Sequence, residues 1–422
     1  MNDPAASTGL GLRALLLAAR ALPLIAPRLL RKRMARGKED PARWREKLGE
    51  PGLPRPEGRL IWLNAVGLGE VLALRGLIAA MAELDPDAQF LVTSSARSSA
   101  HVMGTNLPPR TRHQYLPIDA PQYVARFLDH WRPDLSVWAE QDLWPVAVTL
   151  AHRRGIPLAM VNARMTAASH AKRAKARGIY ADALSRFALI TAQEDDTAAR
   201  LTDLGARAVA VTGSLKSAAP PLAVDHDELA RLADACTGRA IWLAASTHPG
   251  DEEQAIAAAV ALPDRLLILA PRDITRLPAI RAALDTAGLP HVLRSTGALP
   301  DASTRVWLAD SYGEMGLWYS LAQAALVGGG FDRIGGHNPW EAVNLGCPVL
   351  HGPDTANFGP DYAQLHSARA ALQVRPGDLA LALTDPGLTA MPERAARLTA
   401  HARQAIVPLA RDLLNLTKAT RA

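Results

Sequence analysis

Cysteine and aromatic residues are scarce in this chain. Only 2 of its 422 residues are cysteines, Cys236 and Cys347, which is too few for a disulfide framework or a cysteine-rich zinc site. Aromatic residues make up 5% of the chain, which argues against a stacking platform for single-stranded nucleic acid. The lack of disulfide pairs predicts a reducing compartment, and the cytoplasm is the default.

Long charge-free apolar runs are also lacking. The most apolar stretch, residues 10–30, is interrupted by three arginines and two prolines, whereas a membrane-spanning helix needs roughly 20 mostly apolar residues. Arg13, Arg20 and Arg31 are spaced so that they share one side of a helix. The pattern predicts an amphipathic, membrane-associating segment over residues 1–38. The alternative is a helix that packs on the protein's own body.

The net charge of +6 is concentrated at one end. Residues 1–50 contain 11 Lys and Arg against 5 Asp and Glu, and the remaining residues contain 36 of each kind. A basic segment on a neutral body favours an anionic membrane surface over nucleic acid, which would need a basic face on the folded part. A signal peptide fits less well, because a dense basic run follows the apolar stretch where a cleavage site would lie. That run contains Arg31, Lys32, Arg33, Arg36 and Lys38.

The length predicts two or three domains, because single cores stop growing beyond ~250 to 300 residues. Short β-rich runs alternate with helical patterns, stop at a hinge-like stretch over residues 216–221, and then resume. This alternation predicts an α/β protein with two doubly wound, Rossmann-like halves. Ligands of such sheets bind beyond the carboxyl ends of the strands, so we expect a cleft between the halves. After the first segment, we predict a domain over residues 39–215, a linker over 216–237 and a second domain over 238–422. The last helix of the second domain could cross back to the first domain.

Three features of the first half could carry chemistry. Glu70 follows a glycine-bearing turn between a strand and a helix, a position that suits a general base, although it could simply complement the helix dipole. Glu140 ends another strand and could orient a sugar hydroxyl or cap a helix. Beyond Arg164, the basic pair Lys172 and Arg173 suits an acceptor that carries phosphates, with a solvated helix face as the alternative.

The second half contains the pattern of a nucleotide site. Its strongest signal is the glycine-rich stretch of residues 327–341, where the backbone could approach a phosphate and Glu341 could accept hydrogen bonds from a ribose. His248 ends a strand just before a helix, and Arg272 follows a buried strand where an anion could sit. Another strand-to-helix turn, residues 310–315, is expected to face the same cleft.

Together these segments resemble the Kdo (3-deoxy-D-manno-octulosonic acid) transferase family, which has the GT-B glycosyltransferase fold. The resemblance implies transfer of Kdo from CMP-Kdo to a lipid A precursor in lipopolysaccharide biosynthesis, without a metal cofactor. It also implies an amino-terminal anchor at the cytoplasmic face of the bacterial inner membrane. The segments that carry it lie between Arg43 and Val374 and include residues 43–49, 116–119, 142–145, 162–164, 211–216, 246–250, 313–315 and 335–339.

The resemblance implies roles for individual residues. Glu70 falls on the catalytic base of an inverting transferase. The expected donor site comprises Lys216, Ser246, His248, Arg272, Gly313, Glu314, Met315, Asn338 and Glu341. The expected acceptor site comprises Asn64, Glu140, Arg164, Lys172 and Arg173.

The chain departs from the family pattern at four positions. Asn64 and Gly67 stand where the family usually has a histidine and a serine, Asp273 stands where it has a histidine, and Trp340 replaces a leucine. Two other functions therefore stay open: a divergent GT-B transferase with a different donor or acceptor, and a non-catalytic membrane protein that binds nucleotide or lipid.

Overall fold

A computed structural model of the chain describes residues 8–95, 97, 100, 107–140 and 143–419. The chain folds into two compact units. Unit 1 runs to Ala219 and resumes at Ala402, and unit 2 comprises Pro220–His401. The predicted α/β class with two parallel-sheet halves is confirmed.

Unit 1 contains a parallel sheet whose described strands have the order β3-β2-β1-β4-β5-β6-β7. Its central strands are fully buried on both faces, as parallel strands covered by helices must be. Trp62 of β1, for example, lies between Leu91 of β2 and Ser136 of β4. The strands are β1 Leu60–Asn64, β2 Gln89–Ser94, β3 Thr111–Tyr115, β4 Leu135–Ala139, β5 Leu158–Ala163, β6 Leu189–Ala192 and β7 Ala210–Val211.

The helices of unit 1 cover the two faces of this sheet. Two of them begin with a proline at the first helical position, where the missing N–H costs nothing. The described helices are α1 Leu10–Ala19, α2 Leu22–Met34, α3 Leu68–Leu84, α4 Pro121–Trp131, α5 Pro145–Arg153, α6 Ala167–Ala174, α7 Arg177–Leu184 and α8 Asp195–Asp203, with short 3₁₀ helices at Trp44–Leu48 and Leu215–Ala218.

The amino-terminal helices α1 and α2 pack on unit 1 by one face only. Leu12, Ala19, Ala26 and Leu30 are buried, so the expected alternative of packing on the body holds for this face. The other face exposes large apolar side chains. Among the described residues, neither helix alone is long and apolar enough to cross a bilayer, whereas the bent pair, with 58° between its halves, meets that requirement by length and composition. The exposed apolar residues are Leu10, Leu17, Leu24, Ile25 and Leu29.

Unit 2 repeats the architecture, with the strand order β10-β11-β9-β8-β12-β13-β14, again all parallel. Its buried side chains form one apolar cluster on each face of the sheet. The strands are β8 Ala240–Thr247, β9 Arg265–Pro271, β10 His291–Leu293, β11 Val306–Leu308, β12 Ala325–Val327, β13 Val349–His351 and β14 Ala371–Gln373. The described helices are α9 His226–Ala235, α10 Pro249–Ala261, α11 Leu277–Thr286, α12 Met315–Leu321, α13 Trp340–Val343, α14 Gly359–Ser367, α15 Leu379–Ala382 and α16 Met391–Ala419, with 3₁₀ helices at Ile274–Arg276, Arg294–Thr296 and Pro386–Ala390.

The unit boundary follows from packing. The 3₁₀ helix Leu215–Ala218 lies against α3, where a Cβ on Gly76 would be 2.5 Å from the carbonyl oxygen of Ala218. The segment therefore belongs to unit 1, whereas the sequence pattern placed a linker from residue 216. Helix α16 begins in unit 2, and its residues from Ala402 onward belong to unit 1, where Leu409 and Leu413 join the core.

Asp119 supplies a remote cap for α5. Its two carboxylate oxygens accept from the backbone N–H groups of Val146 (3.0 Å) and Ala147 (2.9 Å), which would otherwise lack partners in the first helical turn. Burial raises the pKa of Asp119 to about 6, although the two N–H donors act in the opposite direction.

We expect Asp119→Ala to destabilise unit 1 by about 1–2 kcal/mol, because the first turn of α5 loses its only described side-chain acceptor. Hydrogen exchange of the α5 amides measures the loss locally. Asp87→Ala, in an exposed turn, is the matched control. Equal exchange in the two variants would contradict the capping role.

Candidate active site

Each sheet has one point where the chain reverses its direction of travel across the sheet. In unit 1 the chain passes from β1 out to β3 and then returns to the other side of β1 as β4; in unit 2 it passes from β8 out to β10 and then returns beside β8 as β12. Crevices form at such switch points, at the carboxyl ends of the strands. The predicted site residues that follow β1, β4, β8 and β12 therefore lie at these two points.

Glu70 lies in the first turn of α3, directly after β1. Its Oε2 accepts from the backbone N–H of Val66 (2.8 Å) and Gly67 (3.3 Å), so Glu70 makes one half of a capping box at the helix start, the half in which the N3 side chain binds the N-cap N–H. These two hydrogen bonds to Oε2 agree with the interpretation that Glu70 complements the helix dipole. Both described bonds end on Oε2, and they fix the carboxylate at the edge of the sheet.

Glu140, beyond the end of β4, lies beside Lys216. Glu140 Oε1 is 3.4 Å from Lys216 Nζ, and both side chains are largely buried. Two residues with different predicted roles, acceptor and donor binding, are therefore brought together within unit 1. Asn162 completes the arrangement, because its Oδ1 accepts from the backbone N–H of Leu215 at 2.9 Å and thereby holds the segment that carries Lys216.

Backbone strain marks these strand ends. Glu140 (φ 59°), Asn162 (φ 57°) and Ser246 (φ 54°) all adopt left-handed conformations that are costly for non-glycine residues. Asn162 and Ser246 also lie where the strand register shifts. Bulges of this kind re-aim side chains beside active sites.

The other predicted acceptor residues are dispersed. Asn64 is buried at the end of β1, where its Oδ1 accepts from the hydroxyl of Thr93 at 2.9 Å, so its side chain serves the sheet interior. Arg164 follows β5 and is half-buried. On α6, Lys172 is exposed and Arg173 lies over the ring of Tyr180.

Asp251 organises the switch point of unit 2. The side chain is fully buried and accepts from the backbone N–H groups of His248 (2.9 Å), Gly329 (2.6 Å) and Phe331 (3.2 Å). Burial raises the pKa of Asp251, while the three N–H donors favour its ionised form. The carboxylate thus joins the start of α10 to the glycine-rich loop after β12. This contact with the loop is a tertiary contact that the sequence pattern did not indicate.

The glycines of the loop after β12 are required by close backbone contacts. A Cβ on Gly328 would be 2.6 Å from the carbonyl oxygen of Ser246, and one on Gly330 would be 2.7 Å from the backbone N of Gly352. Because backbone atoms cannot move aside cheaply, only glycine fits there. The close contacts of these glycines are with other loops of unit 2, and the approach of the loop backbone to a phosphate stays a prediction.

His248 and His337 meet across the switch point. Their Nε2 atoms are 2.9 Å apart, and the planes of the two rings differ by 22°, so the rings meet edge to edge. Burial lowers the pKa of His337 to about 4, and the charge of Arg272 and the neighbouring His248 act in the same direction. Arg272 itself is exposed at the end of β9. His337 lies within the motif of residues 335–339, but the motif does not indicate its partner. Only the fold places His337 against His248.

Asn338 and Glu341 lie at the start of the short helix α13. Asn338 Oδ1 accepts from the backbone N–H of Trp340 at 3.1 Å, and Asn338 Nδ2 is 3.4 Å from Glu341 Oε1. Trp340, where the family usually has leucine, donates its indole N–H to the buried Asp361 at 2.7 Å. This substitution is thus matched by a polar partner in the core.

Gly313, Glu314 and Met315 form a separate turn that leads into α12. Glu314 pairs with Arg294, which also reaches Glu228. These side chains line a cavity of about 470 Å³ together with Gly313 and Leu317. Asp273, the third departure from the family pattern, caps the following 3₁₀ helix by accepting from Thr275.

Within the described residues, no group of three or more His, Cys, Asp or Glu side chains is arranged to hold a metal ion.

Comparison with solved structures gives the class of fold. The UDP-GlcNAc 2-epimerase of Neisseria meningitidis, solved with UDP-GlcNAc bound, matches 85% of this chain and 99% of its own with a TM-score of 0.55 at 13% identity. Two parallel-sheet α/β domains and this likeness define the GT-B fold, as predicted.

Sequence comparison gives the family. The family model for 3-deoxy-D-manno-octulosonic-acid transferase matches residues 42–219. The 3-deoxy-D-manno-octulosonic acid transferase of Rickettsia bellii is 32% identical over 351 residues, which cover 82% of this chain and 83% of that protein. The chain therefore belongs to the 3-deoxy-D-manno-octulosonic acid (Kdo) transferase family, and the predicted family and glycosyltransferase class are confirmed.

A solved C-terminal CMP-Kdo-binding domain from Acinetobacter baumannii is 31% identical to part of the chain. The match covers 43% of this chain and 96% of that domain, with a TM-score of 0.37. The family assignment depends on the sequence relatives.

We expect Gly330→Ala to lower the midpoint of thermal unfolding by roughly 2–10 °C, because the new methyl group would clash with the backbone of Gly352. Gly359→Ala, where a Cβ meets nothing within 4 Å, is the matched control. Differential scanning calorimetry of both variants checks this. An unchanged midpoint for Gly330→Ala would show that the loop can move aside.

Proposed function

We propose that this protein transfers Kdo from CMP-Kdo to a sugar hydroxyl of a lipid A precursor. The observation that carries the proposal is the arrangement at the two switch points in a chain of this family. A fixed carboxylate, Glu70, stands at the first, and a histidine pair, an arginine and a glycine-rich loop stand at the second. Unit 1 then serves the acceptor and unit 2 the donor.

The reaction is an inverting displacement. Glu70 takes the proton from the acceptor hydroxyl, whose oxygen forms a bond to the anomeric carbon of Kdo while the bond from that carbon to the phosphate oxygen breaks. The electron pair of the broken bond stays on CMP. The bonds from Val66 and Gly67 support this role, because they hold the carboxylate in place before the acceptor arrives.

The leaving phosphate needs positive potential. In unit 2, Arg272 is the candidate that supports the proposal, because the backbone N–H groups of Gly329, Phe331 and His337 already donate within unit 2. Helices α13 and α12 have only four and seven residues. Their amino-terminal ends therefore supply less positive potential than those of longer helices. Lys216 is held in unit 1 by Glu140, and we assign it to phosphate or carboxylate recognition.

We further propose that no metal ion takes part, because Arg272 and Lys216 supply the positive charge that a metal would otherwise provide. Transfer is then expected to continue unchanged in EDTA.

We expect Glu70→Gln to lower the transfer rate by about 10²–10⁴-fold, because an amide cannot take up the proton. The variant separates the two roles of this side chain, since a glutamine oxygen can still accept from Val66 and Gly67 and keep the helix cap. Mass spectrometry of a lipid A precursor incubated with CMP-Kdo measures the product, and calorimetry measures the binding of CMP.

Glu70→Ala is the companion variant, because it removes both the base and the cap. If Glu70→Gln turns over normally and only Glu70→Ala fails, Glu70 is a cap and another group is the base. A product that requires a different donor, or no product from the wild type, would point to the divergent transferase or to the non-catalytic protein.

The protein is further proposed to act at the cytoplasmic face of the bacterial inner membrane, where its acceptor would lie. The exposed apolar face of α1 and α2 and the basic residues that follow it support this location. Apolar burial in the interface and attraction to anionic headgroups would act together.

We expect the triple replacement of Lys32, Arg36 and Lys38 by Gln to weaken binding to vesicles that contain anionic lipid by about 10²-fold, at ~1 kcal/mol for each charge. All three side chains are exposed, and Arg33 is left intact because it pairs with Glu39. Replacement of the exposed Arg207, Arg281 and Arg375 by Gln is the control. Co-sedimentation in which both variants bind like the wild type would exclude this surface.

A further inference from the structure

We propose that His248 and His337 form a proton-sharing pair that takes up one proton when the nucleotide phosphate binds and donates it to the phosphate oxygen that the sugar leaves. This inference rests on the proposed function, and it adds a general acid to the base already assigned.

The first support is the geometry of the pair. At 2.9 Å between the two Nε2 atoms, one ring must donate and the other must accept. The hydrogen bond between the two rings is compatible with two charge states of the pair. In the neutral pair the accepting ring carries its own proton on Nδ1. In the singly charged pair the donating ring carries a further proton on its Nδ1, and the hydrogen bond between the Nε2 atoms remains.

The second support is that hydrogen bonds hold the backbone of both histidines in place. The backbone N–H of His248 is bound by the buried carboxylate of Asp251. The backbone N–H of His337 donates to Gly328 at 3.0 Å, and the carbonyl of His337 accepts from the hydroxyl of Tyr362 at 3.1 Å. These contacts hold the main chain of both histidines and do not use the ring nitrogens.

The third support is the charge around the pair. Arg272 faces it from the end of β9 and, with burial, keeps His337 neutral in the ligand-free protein. Among the acids on the packed elements, Asp251 accepts from backbone donors as above, Asp332 accepts from the N–H of Gly250, and Glu252 pairs with Arg276. A phosphate that binds at Arg272 offsets the charge of Arg272 and adds negative charge beside the rings. Both changes favour the protonated pair and act against burial, which is the larger cause of the lowered pKa of His337.

The proton then has a defined use. When the bond between the anomeric carbon and the phosphate oxygen breaks, the electron pair goes to that oxygen and CMP gains a negative charge. The charged pair transfers its proton to this oxygen and returns to the neutral state. Glu70 meanwhile holds the proton from the acceptor hydroxyl, so protons balance over one turnover once both groups exchange with solvent.

Calorimetric titration of the full-length protein with CMP at pH 7.5, in buffers of different ionisation enthalpy, tests the uptake. At this pH free CMP is almost entirely a dianion, because its second phosphate pKa is about 6. The slope of the observed enthalpy against the buffer enthalpy gives the number of protons bound. We expect up to about one proton for the wild type and close to none for His337→Gln and His248→Gln.

His366→Gln is the matched control. His366 and His351 form a second pair in unit 2 with the same 2.9 Å separation of Nε2 atoms, which the proposal leaves unused. This variant is expected to take up protons like the wild type. A CMP isotherm in each variant also shows that unit 2 is folded.

A second measurement separates a proton donor from a merely structural residue. We expect His337→Gln to lower kcat by about 10²-fold and to remove the fall of kcat at high pH, while CMP still binds. If the wild type binds CMP and takes up no more protons than His337→Gln, the proton-donor proposal is overturned and the proposed function survives. If the wild type binds no CMP at all, the donor assignment itself fails, and this inference with it.

Discussion

Parallel pairing is the constraint on which the candidate site depends. Because every described strand pair is parallel, the carboxyl ends of all strands in a sheet meet at one edge, and each sheet has one point where its connections reverse. Residues far apart in sequence, such as Glu70 and Glu140 or His248 and His337, are therefore brought to the same place. Helices cover both faces of such a sheet, so its edge at the carboxyl ends is where loops and ligands can meet.

Two kinds of local cost occur at these edges. Left-handed backbone occurs at Glu140, Asn162 and Ser246, and a fully buried carboxylate occurs at Asp251. The surrounding hydrogen bonds offset each cost. Asn162 binds Leu215, and Asp251 binds three backbone N–H groups. Strain that is held in this way is typical of pre-organised sites, in which groups stand in position before substrate binds.

Much of the site could be predicted from motifs, because a turn that needs glycine or a helix that needs a cap leaves a local signal. Glu70, His248 and the glycine-rich loop were found in this way. The sequence did not predict the contacts of Asp251 with the loop, of His337 with His248, or of Glu140 with Lys216. Each of these contacts joins residues some 75 to 90 positions apart in the chain. Asn64 is the converse case. Its place at the end of a strand predicted a role in the site, whereas its side chain forms a hydrogen bond inside the sheet.

The sequence by itself determined the α/β class, the two parallel sheets, the family and the basic, apolar amino terminus, because periodicity, composition and motifs are properties of consecutive residues. Tertiary structure alone decided that one face of α1 and α2 packs on unit 1 while the other stays exposed. It also decided that Lys216 belongs to unit 1 and that the Nε2 atoms of His248 and His337 lie 2.9 Å apart. These facts follow from which elements meet in space, and burial, a close backbone approach and a 2.9 Å contact exist only once the chain has folded.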